Sequence, residues 1–62
     1  MNKDEVVEIM CKVVEDINRK MAEDMPIGSD ELEQALAKNR SQLVSINGAI
    51  YDKLLDYGII QR

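Results

Sequence analysis

The chain has 62 residues, of which 45% are hydrophobic, and its twelve acidic residues outweigh eight basic ones to give a net charge of −4. That length allows one domain and that apolar share excludes a disordered chain, while the acidic balance argues against general binding to nucleic acid or anionic membranes, both of which need clustered Lys and Arg. The lone Cys11 and the lack of His exclude an intrachain disulfide and speak against a structural zinc site, so no metal or other cofactor is expected.

Asn2 followed by Glu5 matches a capping box, with Asp4 adding negative charge where a helix N-terminus favours it. The pattern then predicts a first helix over about 3–24. Its apolar arc comprises Val6, Val7, Ile9, Met10, Val13, Val14, Ile17 and Met21, nearly half the circumference and more than one neighbour needs. Cys11 lies at the rim of this arc, as a small buried hydrophobe does. Glu8, Lys12, Glu15, Arg19 and Lys20 are expected on the opposite, solvated side, where Glu8–Lys12 and Glu15–Arg19 form favourable i,i+4 pairs.

Met25-Pro26-Ile27-Gly28-Ser29 is a breaker segment, so residues 25–29 are expected to turn. Ser29 or Asp30 is then the expected cap of a second helix over about 30–57, with Asp30 and Glu33 as a further capping box. A short link between two long helices predicts an antiparallel hairpin. Gly58 suits a left-handed C-cap, Ile59 is placed for the accompanying apolar contact, and 58–62 form a short tail.

The second helix carries two apolar faces. Leu32, Leu36, Leu43, Ile46, Ile50, Leu54 and Tyr57 form a seam expected to pack on the first helix, with Asn39 as a polar register point within it. Val44, Gly48, Tyr51 and Leu55 lie more than a quarter turn away, with Ala37 and Ser41. Arg40 and Asn47 fall between the two faces. Asn47-Gly48 reads either as a turn that splits this helix or as a small-residue site within it, and the unbroken phase of both faces through Gly48 favours the second. At about 1.5 Å per residue the second helix, about 40 Å, overshoots the first, about 33 Å. That leaves Leu54, Leu55, Tyr57, Ile59 and Ile60 in need of cover.

So short a chain is marginal alone, and self-association is one of the usual remedies. The fold expected is therefore an all-α, antiparallel two-helix hairpin that self-associates into a helical bundle, most simply as a homodimer. Val44, Gly48, Tyr51, Leu55, Tyr57 and Ile59 are the candidate partner or oligomer face. With no histidine base and no Gly-rich strand-to-helix loop, an enzyme is not expected. Adjacent acids such as Asp4-Glu5 and Asp30-Glu31 read as solvated surface. With no signal-peptide pattern and no apolar run long enough to span a bilayer, a cytoplasmic protein is expected. The leading function is a small regulator or inhibitor that docks helices onto a protein target. Between Gln34 and Tyr51 there is no acidic residue, and Lys38, Arg40, Ser41 and Asn47 are candidates for holding a small anionic ligand. A structural assembly component is a third possibility.

Ala35-Leu36-Ala37-Lys38 and Ile46-Asn47-Gly48-Ala49-Ile50 resemble the second hairpin helix of small phage proteins that sequester cyclic-nucleotide signals. The resemblance covers less than a third of the chain. It implies an oligomeric sponge for an anionic nucleotide. The N-terminal arm with a stacking Tyr and the bulky aromatic near Ser45, both associated with that family, have no counterpart here.

Overall fold

In a computed structural model, which describes residues 1–61, the chain is all-helical: α1 spans Lys3–Ala22 and α2 spans Ser29–Asp56, packed against each other as a hairpin. The molecule is elongated, 42 × 19 × 16 Å. No helix among the described residues is long and apolar enough to cross a membrane.

Local chemistry accounts for most of the helix ends. Asn2 caps α1, its side-chain oxygen accepting from the Glu5 backbone N–H at 2.9 Å. Asp4 and Glu5 lie in the first turn and Arg19 and Lys20 in the last, each sign where the helix dipole favours it. The helix stops at Ala22, two residues before the expected end. The Glu23 N–H bonds to the Lys20 carbonyl and the Met25 N–H to the Ala22 carbonyl, tightening the chain ahead of Pro26.

The start of α2 corrects the expected capping box. Gly28, with φ −69° and ψ 148°, is the N-cap, and no side chain bonds the first-turn amides. Ser29 and Asp30 are already helical, so Asp30 and Glu31 act there through charge alone. The Asn47-Gly48 pair does not break the helix: α2 runs unbroken through both. It ends in a full Schellman motif, with Gly58 at φ +75°. The Gly58 N–H bonds to the Leu55 carbonyl at 3.0 Å and the Ile59 N–H to the Leu54 carbonyl at 2.9 Å. The apolar contact expected of Ile59 is made by its neighbour. Ile60 folds back onto the core, and Ile59 stays 70% exposed.

The interface between the helices follows the predicted seams only in part: Val6 and Val7 of the α1 arc and Leu36 and Leu43 of the α2 seam are in it. Its centre is Val7, Cys11 and Glu15 of α1 against Leu36, Asn47 and Tyr51 of α2, all buried. Val6, Leu43, Leu55 and Ile60 pack against the Val7–Cys11–Tyr51 cluster. Leu55 and Ile60 thus find cover within the hairpin. Ile46 and Ile50, expected inside, are exposed, as are Tyr57, read both in that seam and on the partner face, and Ile9, Val13, Ile17 and Met21 of the α1 arc. Both helices are turned so that the line between their polar and apolar sides faces inward. A physical reason lies in the polar residues on that line, which find partners across it.

Candidate docking surface

Arg40 organises the interior edge. Its guanidinium holds Glu8 at 2.6 Å and Glu15 at 2.7 Å. Glu15, expected on the solvated side, is only 8% exposed, and Arg40 supplies the hydrogen-bonding partner that so buried a polar group needs. One helical turn toward the turn segment, Arg19 grips Glu33 with two hydrogen bonds of 2.9 Å and also reaches Asp16. At the other end Lys3 pairs with Asp52 at 3.0 Å. Hydrogen bonds from Arg40 and Arg19 hold the Glu8 and Glu33 carboxyls below the usual carboxylate range, and the same bonds raise both arginines.

Deeper in, the Asn47 side-chain N–H donates to the Cys11 sulfur at 3.4 Å, and Cys11 is a fully buried free thiol. The buried amide that fixes how the helices pair is therefore Asn47, and Asn39, expected in that role, is exposed.

These contacts engage two of the four residues read as an anion site. Arg40 is held by two carboxylates, Asn47 is committed to Cys11, and Lys38 and Ser41 are exposed on other parts of α2. A shallow cleft beside Arg40 is lined by Arg19 and Arg40 but equally by Glu15 and Glu33. A second, of about 440 Å³, gathers Lys3, Asp4, Glu8, Val44 and Gly48. Neither brings the four predicted ligand residues together. The predicted partner face is also divided. Tyr51 is core, Gly48 and Leu55 are half-buried, and Val44, Tyr57 and Ile59 are exposed.

The ion pairs define one flank of the hairpin, and helix periodicity defines the other. On α1, Glu8, Glu15 and Arg19 lie to one side of the Val7–Cys11 line, and Met10, Val13, Ile17 and Met21 lie to the opposite side. On α2, Arg40 and Glu33 lie to one side of Asn47, and Leu32, Ile46, Ile50 and Tyr57 lie to the other. Because the ion pairs join the two polar sides, the two apolar sides meet on the opposite flank. There Val13, Ile17, Met21, Ile46, Ile50 and Tyr57 are between 43% and 75% exposed. Sequence reasoning had these residues but assigned most of them to the interior. A usable signal was the spacing of Glu8 and Glu15, two turns apart and facing the acid-free stretch around Arg40.

The exposed surface is large for the chain. A compact folded monomer of 7.1 kDa exposes about 4,100 Å², whereas this hairpin exposes 4983 Å². The surplus of roughly 900 Å² goes with the elongated shape of the hairpin.

Comparison with protein-family models, with curated proteins and with solved structures gives no significant match in any of the three.

Proposed function

We propose that this hairpin is the building block of a helical bundle and works as a cytoplasmic binding protein, regulating or inhibiting a protein target through helix docking and without catalysis of its own. Its first step is self-association, in which the apolar flank of one hairpin covers that of another to give a four-helix bundle. The observation that carries this reading is the segregation of the flanks. Ion pairs hold the hairpin closed along one side, and the other side presents Val13, Ile17, Met21, Ile46, Ile50 and Tyr57, which the chain itself leaves 43% or more exposed. Contiguous exposed apolar patches on small proteins mark interaction sites.

Light scattering on a sizing column, over a dilution series, tests the first step. The wild-type chain is expected at twice the monomer mass, and Ile46→Glu, which puts a charge in the flank but touches none of the buried core, is expected to halve it. A wild-type chain that is folded and monomeric throughout the series would refute self-association.

A further inference from the structure

Ion pairs and apolar stripes compete for the inside of this hairpin. The residues of α1 that meet α2 step by four: Lys3 pairs with Asp52, Val7 clusters with Tyr51, Cys11 accepts from Asn47, Glu15 pairs with Arg40 and Arg19 with Glu33. The apolar stripes lie about a quarter turn away from that line on both helices.

The stripes are nonetheless in register with each other. The pairs Lys3–Asp52, Glu15–Arg40 and Arg19–Glu33 fix how far along one another the helices lie. In that register Met21 stands about level with Leu32, Val13 with Leu43 and Met10 with Ile46. Met21, Val13 and Ile46 are exposed, and their opposite numbers are already half-buried. Because both stripes lie on one flank, rolling them inward turns the two helices in opposite senses, so that their surfaces move together with no slide along the axes. The rolled hairpin would cover these pairs and release Val7, Cys11, Leu36 and Tyr51. Each packing therefore has an apolar core, and polar groups choose between them. The observed one satisfies Glu15 through Arg40 and Asn47 through Cys11. The rolled one takes in Asn39, now exposed, at the cost of a polar group without a partner.

Arg40 is the contact on which the choice turns. From α1 it is faced by Glu8 at 2.6 Å and Glu15 at 2.7 Å, with Lys12 close to Glu8. On α2 the nearest acid in sequence is Glu33, which Arg19 holds together with Asp16. From the shared register of the stripes and the place of Arg40, we infer that the hairpin has a second packing and that Glu8, Glu15 and Arg40 are the catch holding it in the first. Protonation of the two carboxyls lets each helix roll by about a quarter turn, which brings the apolar stripes inward and parts the helices along the Val7–Cys11 line. This goes beyond the self-association proposed above, since the roll takes place within one chain whether or not the chain associates.

The test is a Glu8→Gln/Glu15→Gln chain at neutral pH, which mimics the protonated pair while the other charges stay as they are. Three results are expected together. Helicity stays at the wild-type value. Cys11 consumes a thiol reagent faster by about tenfold or more, as the loss of two charge-assisted hydrogen bonds implies. Methyl contacts appear between Val13 and Leu43 and between Met10 and Ile46. Adding Asn39→Leu, at a position exposed in the observed packing, should raise the Cys11 rate further. A folded double variant that keeps the slow wild-type rate would show that the catch holds nothing. Fast reaction at full helicity without the new contacts would mean that the helices separate instead of rolling. Loss of helicity, with and without Asn39→Leu, would mean that no second packing exists. Any of these three overturns the inference.

Discussion

Tyr51→Ala separates the observed packing from the one the sequence pattern suggests. If Tyr51 lay on a free or interchain face, its loss would weaken association and spare the fold. It is instead 8% exposed and clusters with Val7 and Cys11 inside one hairpin. Truncating a buried aromatic side chain to Ala costs about 3–5 kcal/mol through lost burial and the cavity left behind. Leu43, Leu55 and Ile60 pack against the cluster and can move part of the way in, which favours the lower end, about 3 kcal/mol. A 62-residue chain has roughly 3–9 kcal/mol of total stability at the usual 0.05–0.15 kcal/mol per residue. The substitution therefore removes between a third and all of it, a fall in Tm on the order of 10–25 °C. The assay is urea unfolding followed by circular dichroism at one fixed protein concentration, since association adds to apparent stability. Tyr51→Phe, which keeps the ring, serves as the control and should stay within about 1 kcal/mol of wild type. A Tyr51→Ala chain with an unchanged urea midpoint but a halved solution mass would refute this account of the core.

Further outcomes follow from the same structure. A Cβ built on Gly48 meets only the Lys3 side chain, at an ordinary 3.8 Å, so Gly48→Ala should stabilise the helix interior by about 0.5–1 kcal/mol; Gly58→Ala, at φ +75°, should instead cost about 1–2 kcal/mol in the same denaturation assay. The stability that Glu8 and Glu33 contribute is complete above the usual carboxyl range, because their folded pKa values are lowered, and is lost as pH falls through those lowered values. The urea midpoint should therefore fall below about pH 4.5, and Glu8→Gln with Glu33→Gln should flatten that fall.

The hairpin itself was legible in the residues. The Pro26–Gly28 breaker, the Asn2 cap and the Gly58 C-cap are local signals whose chemistry acts within a few residues, and each appears where it was read. The orientation of the helices about their axes was not legible in the same way. Apolar periodicity assigns the widest apolar arc to the inside, and on both helices that arc is wider than one neighbour can cover. What decides the orientation is long-range pairing of Glu8 and Glu15 with Arg40 and of Cys11 with Asn47, which read individually as surface charge or small filler. The surroundings of Arg40 were not legible for the same cause: an acid-free stretch around a cation looks like an anion site until the acids that face it from the other helix are known.

Cys11 has a practical consequence. Its sulfur has no solvent exposure and lies at the contact between the two helices. A thiol reagent can reach it only when the helices part. The rate at which the untouched protein consumes such a reagent thus records how often the hairpin opens. The chain carries its own clock for the parting of its two helices.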